Sequence, residues 1–376
     1  MPAFRRDVRP SVRTIGVLLT VAIGGLFPSS AAAQNAARAG KWAIELYGGG
    51  SSTSASSSGT PLAGFTPGTP FTLQSGQPSR AVSSWFFGDG AALFNQVLTQ
   101  FAANAGTTFP RIASLDTALL QNGGSQGSGA VIGLRLGRAL TPKLAIEFNV
   151  ERSLAKLGVS ASLLNGMEAA SESFIDAFEA LLKTAPVTNV SVTSTVMTPN
   201  ASNAQIRLGG ALKWTVFTGN RIQAYVSGGG GVIRNSGDNP QAILNGRYSF
   251  RLFGAFPMDE TDRVVVTVNQ QKNSAMGMVG GGLTYDFSSS SGLRADVRLL
   301  LNSTKDVTTM TAAPSVAALN PTQVLPTATN ISPGLQFSTQ SGVRSTLSGP
   351  NANFTLFTGS GLSKQISFTL GIFKRF

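Results

Sequence analysis

The chain has 376 residues with no cysteine and no histidine, so disulfides, thiolate chemistry and the commonest general base and metal ligand are all excluded. Only 12% of the residues are charged, yet the formal net charge is +12. The basic residues are scattered rather than interleaved with aromatics, which argues against nucleic acid as a partner.

Residues 1–33 have the layout of a secretory signal peptide. Arg5, Arg6, Arg9 and Arg13 precede an uncharged, mostly apolar stretch from Thr14 to Phe27, and the small residues Ala31 and Ala33 precede Gln34. Cleavage is expected after Ala33. Loss of these four arginines and Asp7 takes the net charge from +12 to +9. Beyond this segment no run has the length and apolarity of a membrane-crossing helix.

The expected mature chain, 34–376, alternates between two textures. Segments 41–50, 129–140, 143–153, 204–217, 221–234, 274–287, 291–302 and 363–376 alternate apolar and polar residues with a period of two. Polar stretches rich in Ser, Thr, Asn, Gly and Pro separate them at 51–128, 154–203, 235–273 and 303–362. The gaps after the second, fourth and sixth segments are tight, whereas the others are long. Short periplasmic turns alternating with long outer loops describe a membrane barrel better than a soluble sandwich. The expected fold is therefore an all-β membrane protein. It is an antiparallel up-and-down transmembrane β-barrel of about eight strands, with long extracellular loops containing short helices.

Charge placement follows the same alternation. In the first segment Trp42, Ile44 and Leu46 oppose Lys41, Glu45 and Tyr47. In the third, Leu144, Ile146, Phe148 and Val150 oppose Lys143, Glu147, Asn149 and Glu151. Arg135, Arg207, Lys213, Arg294, Asp296 and Arg298 fall on the polar faces of their own segments. With Glu45, Glu147 and Glu151 they form the expected lumenal charge network, in which a three-residue turn at 140–142 sets Arg135 opposite Glu147. Five cations against four anions can pair, because isolated buried charges are costly. An eight-stranded barrel is narrow enough for side chains to fill, so a plugged lumen is expected. Arg138, Arg152, Arg234 and Lys374 are left on the apolar face, each near a segment end, where lipid exposure costs little. Trp42, Trp214, Tyr285 and Phe287 lie near the periplasmic ends as an expected aromatic girdle. The glycine runs Gly228–Gly231 and Gly280–Gly282 lack the lysine and following helix of a phosphate loop. They read as positions where a tightly curved sheet bends and packs.

Two loop segments have helical spacing. One carries Leu93, Phe94, Val97, Leu98 and Phe101; the other carries Leu164, Met167, Phe174, Phe178, Leu181 and Leu182. The pieces 246–253 and 263–270, joined by Gly254 to Asp262, read either as a hairpin above the membrane or as two further spanning strands of a ten-stranded barrel. The last loop reads as largely irregular.

The final segment runs from Ser363 to Phe376. Its alternation toward a C-terminal Phe, with Thr369, Gly371 and Phe376, resembles the terminal strand that the barrel-assembly machinery reads in bacterial outer-membrane proteins. Lys374 stands where an apolar residue is usual. With the segment layout, the chain resembles the small eight-stranded barrels of the outer-membrane protein A, X and W type, over the strands but not the long loops. The resemblance implies a bacterial outer-membrane location and assembly by that machinery.

No cofactor or metal is expected, and no enzymatic activity. Glu147 and Glu151, the candidate acid/base pair, stand roughly 13 Å apart along one strand, too far to share a reacting bond. The expected function is a non-enzymatic barrel displaying long surface loops for envelope integrity, adhesion or contact with an unidentified extracellular ligand. Outer-membrane lipid and lipopolysaccharide are the expected surroundings of so basic a chain. The alternative is a narrow channel or transporter for small or apolar solutes.

Overall fold

The structure is a computed structural model. It describes residues 40–376 apart from 55–57, 74–75, 77, 126, 156, 186, 202, 317–334, 337–345 and 349–350. The expected signal peptide and its cleavage site lie outside the described residues.

The long strands are β1 (Trp42–Thr53), β2 (Gly127–Ala139), β3 (Leu144–Ser153), β4 (Val187–Met197), β5 (Asn203–Thr218) and β6 (Ile222–Gly237). They continue as β7 (Gln241–Leu252), β8 (Phe256–Asn269), β9 (Asn273–Asp286), β10 (Ser291–Ala312) and β11 (Ala352–Arg375). Among the described residues three helices lie between them: α1 (Gly88–Ala105), α2 (Asp116–Leu119) and α3 (Ala161–Lys183).

Antiparallel pairings run β1–β2–β3–β5–β6–β9–β10–β11 and return from β11 to β1. Eight strands thus form a closed ring, which leaves no unpaired edge inside it. No helix among the described residues is long and apolar enough to cross a membrane.

The polarity of the ring is inverted relative to a soluble sheet. Leu46, Leu134, Phe148, Leu208, Leu212, Val226, Val279, Val297, Ile366 and Leu370 face outward and are exposed. Glu45, Arg135, Glu147, Glu151, Arg207, Arg294, Asp296 and Arg298 face inward and are buried. The period-two alternation of each strand produces both faces at once.

Short turns close one end of the ring. In the β2–β3 turn, Thr141 Oγ1 accepts hydrogen bonds from the backbone N–H groups of Leu144 (2.9 Å) and Lys143 (3.3 Å). This turn is longer than the expected 140–142, because Ala139 pairs with Ala145. The register shifts accordingly. Arg135 lies opposite Asn149, and Gly137, not Arg135, lies opposite Glu147.

At the other end the chain builds a crown. β4 pairs with β7, β7 with β8, and β8 with the far part of β10 (Val307–Ala312). The hairpin β7–β8 is thus built onto β4 and the end of β10, outside the ring, and no ten-stranded ring forms among the described residues. Its strands also exceed the expected pieces. The chain reverses at Phe253 and Gly254, both with positive φ, and the acidic stretch Met258–Asp262 is strand rather than connection.

The crown has an apolar core. Phe94, Val97 and Leu98 of α1 and Met167, Phe174, Phe178, Leu181 and Leu182 of α3 pack on Leu244, Tyr248, Phe250, Val264, Val266 and Met310 of the sheet. Leu163, not Leu164, is the fully buried residue at the start of α3. Ser160 caps α3, its Oγ accepting from the Leu163 N–H at 3.4 Å, and Gly106 in the left-handed region closes α1. Trp85, buried to 1% exposure, lies edge-on to Phe94 and Phe178.

Two expected loops contain more order than their composition suggests. β4 lies within 154–203. β10 and β11, with 22 and 24 residues, advance into 303–362 from both sides. Their extra length carries the barrel wall directly into the crown.

Candidate functional site

The nine charged residues of the polar face meet inside the ring. Arg135 lies opposite Glu45 on the β1–β2 ladder. It donates to Glu45 Oε2 and to Asp296 Oδ2, both at 2.7 Å, and its Nε stands 3.8 Å from Glu147. Arg294 grips Glu147 with both terminal nitrogens, at 2.6 and 3.0 Å. Its Nε is 3.2 Å from Asp296. Lys213 Nζ is 3.5 Å from Glu147. Arg298 donates to Asp296 at 2.8 Å and approaches Glu151 at 3.9 Å, and Arg207 donates to Glu151. Every member is linked to every other through such pairs. Planar guanidinium groups suit this role because each can bridge several carboxylates with directed donors.

Two tyrosines complete the network, and sequence reasoning did not assign either to it. Tyr47 donates to Glu151 Oε2 at 3.2 Å, with the Arg135 guanidinium 4.8 Å from its ring centroid. Tyr225 donates to Asp296 and accepts from Arg294 Nε at 2.5 Å. Both rings need a glycine opposite them. Tyr47 pairs with Gly133 and Tyr225 with Gly282. A Cβ at Gly133 would come within 2.4 Å of Tyr47 Cζ, and one at Gly282 within 2.4 Å of Tyr225 Oη. This glycine–tyrosine opposition was the available signal.

Further side chains occupy the interior toward the crown. Gln365 Nε2 donates to Thr53 Oγ1 (2.7 Å) and Gln205 Oε1 (2.8 Å). Ile233, Met276, Met278 and Leu300 form an apolar cluster. At the short-turn end a cavity of about 80 Å³ reaches in past Lys41 and Lys143 and stops on Arg135, Glu147 and Arg294.

The other expected site residues are placed as follows. Trp42, Trp214, Tyr285 and Phe287 are exposed on the outer wall. The rings of Tyr285 and Phe287 meet edge-on at 5.6 Å, and Arg138 stacks on Trp42 at 5.2 Å. On β11 Thr369 and Gly371 face inward, whereas Phe376 points outward and is bonded to Trp42 through both backbone groups.

A second buried polar cluster lies in the crown. Asp262 Oδ2 accepts from Ser84 Oγ (3.0 Å) and the Trp85 N–H (2.6 Å). Trp85 Nε1 donates to Tyr248 Oη at 3.2 Å, and Tyr248 donates to Glu260. Burial, reinforced by the Glu260 charge, pushes the Asp262 carboxyl up to about 7, and burial likewise raises the Tyr248 phenol.

No family model matches the chain, and no curated protein matches it. Among solved structures it is similar to the outer membrane protein OprG from Pseudomonas aeruginosa, at 10% identity and TM-score 0.36, over 90% of this chain and 97% of that one. It is similar to the outer membrane protease OmpT from Escherichia coli, at 7% identity and TM-score 0.25, over 89% and 97%. A deletion mutant of the TodX monoaromatic hydrocarbon channel matches at 13% identity and TM-score 0.21, over 93% of each chain. Scores this low transfer no property to this chain.

Proposed function

We propose that this chain is a bacterial outer-membrane β-barrel of eight spanning strands. On this reading its interior is sealed by an ion-pair network, and it works without catalysis by displaying the crown outside the cell. The observation that carries this is the inverted polarity of the ring, with leucine, valine and phenylalanine outside and nine linked charges inside. Water-exposed sheets do not arrange themselves so, whereas a closed ring in lipid must. The short-turn end then faces the periplasm. The exposed aromatics Trp42, Trp214, Tyr285 and Phe287 sit at that interface, and Thr369, Gly371 and Phe376 serve the assembly machinery.

The sealed interior favours display over transport. Glu147 and Glu151 are each held by arginines, which also leaves neither available for acid/base work. Three measurements test the reading together. Refolded protein in vesicles should migrate faster on gels unheated than heated and should conduct no steady current in a planar bilayer. Trypsin added to intact cells should reach the crown. Recovery of the protein in the soluble periplasm overturns the barrel reading; a stable, porin-sized conductance overturns the sealed interior and restores the channel reading.

A further inference from the structure

Cations stand outward on the ring near the crown, among them two arginines and a lysine. Arg152 of β3 pairs with Ile206 of β5, and Ile206 pairs with Arg234 of β6, so the two arginines flank one isoleucine in a single hydrogen-bonded row. Two strand spacings set them about 10 Å apart at Cα. The row continues from Arg234 to Asn273 on β9. Beyond it the Lys305 backbone N–H of β10 donates to Gln271 Oε1 at 3.1 Å. Arg152, Arg234 and Lys305 are all exposed. Toward the short-turn end the same strands present exposed Val150, Leu208 and Val232.

Among the described residues no acidic side chain faces outward from the eight ring strands, and neither Arg152 nor Arg234 has an ion pair or side-chain hydrogen bond. Arg138 at the opposite end differs, since it stacks on Trp42. A guanidinium at an apolar boundary is satisfied best by an anion that accepts two parallel hydrogen bonds, and phosphate is such an anion. The adjoining apolar strip selects a phosphate that carries acyl chains.

We propose that Arg152 and Arg234 bind the phosphate groups of a phosphorylated glycolipid in the outer leaflet, with its acyl chains lying on Val150, Leu208 and Val232. This rests on the membrane reading above and names the lipid that its outer wall selects.

The test uses the full refolded chain in micelles without divalent cations. Native mass spectrometry measures binding of diphosphorylated lipid A, of the same lipid dephosphorylated, and of inorganic phosphate as competitor. The wild type should retain diphosphorylated lipid A. Loss of the phosphates should weaken retention at least tenfold, and R152Q/R234Q should match that loss while K143Q/R221Q, at the other end, should not. Equal binding of the dephosphorylated lipid, or unchanged binding by R152Q/R234Q, overturns the proposal. Displacement by inorganic phosphate at equal concentration overturns it in favour of a free-anion site. Heat-modifiable migration in vesicles separates the two levels: a wild type that never inserts removes the membrane reading, whereas one that inserts without retaining lipid A removes this site alone.

Discussion

Arg135 and Glu45 lie directly opposite one another on β1 and β2, and their side chains meet at 2.7 Å inside the ring. From this pair the remaining charges branch, and each carboxylate contacts at least two cations. Removing one partner from such a cluster strands charge in a dry interior.

Glu147→Ala should therefore be strongly destabilising, because it strips Arg294 of the hydrogen bonds of both its terminal nitrogens and Lys213 of its carboxylate. A loss of about 3–5 kcal/mol is expected in guanidinium unfolding of the refolded protein. An unchanged midpoint would show that the network does not stabilise the ring.

The network should also act as the seal. Arg135→Ala combined with Arg294→Ala removes two of the three side chains on which the end cavity terminates. Planar-bilayer recordings should show steady ion leakage for this variant and none for the wild type.

Gly282 and Gly228 should respond oppositely to alanine. A Cβ at Gly282 meets Ala295 O at 2.1 Å and Tyr225 Oη at 2.4 Å, whereas one at Gly228 meets nothing within 4 Å. Gly282→Ala should cost about 1–3 kcal/mol or more through overpacking, and Gly228→Ala should retain wild-type unfolding and heat-modifiable migration.

The crown should lose stability as pH rises. The Asp262 carboxyl titrates near 7 in the folded crown and near the ordinary aspartate value once unfolded. Between those values the folded state holds a proton that the unfolded chain has released. The stabilisation is therefore complete in acid and is lost as pH climbs through 7, with roughly 4 kcal/mol as an upper bound. Trp85 fluorescence in a Trp42→Phe/Trp214→Phe background should report higher crown stability at pH 5 than at pH 8. Asp262→Asn should flatten the slope.

Phe178→Ala should loosen the crown and spare the ring. Phe178 stacks on Tyr248 at 4.3 Å and contacts Phe94 at 4.3 Å and Phe174 at 4.5 Å. A loss of about 3–5 kcal/mol is expected in Trp85-detected unfolding, with the heat-modifiable shift retained.

The strands that alternate strongly were legible from sequence because their inward residues are mostly charged, polar or glycine and their outward residues mostly apolar, as along 146–151 of β3. β4 was not, since VTNVSVTSTVM sets valine against small hydroxyl residues and resembles loop composition. The acids Glu260 and Asp262 read as a connection because carboxylates are uncommon in strands. Their partners Tyr248, Ser84 and Trp85 lie between 12 and 178 positions away in sequence. The charge network was visible as a set of residues sharing a face. Its contacts were not, because a turn two residues longer than expected moves Arg135 from Glu147 to Asn149.

The strand that closes the ring is the one furthest from β1 in sequence among the eight that form it. β11 seals against β1 and runs alongside β10 for the whole length of that strand, to Ala312, where β10 supports β8. The crown sheet therefore stands on a wall whose seam cannot form until β11 has paired with β1. Completion of the crown is coupled in this way to closure of the cylinder. An antibody that recognises only the finished crown would score, cell by cell, whether the cylinder beneath it has closed.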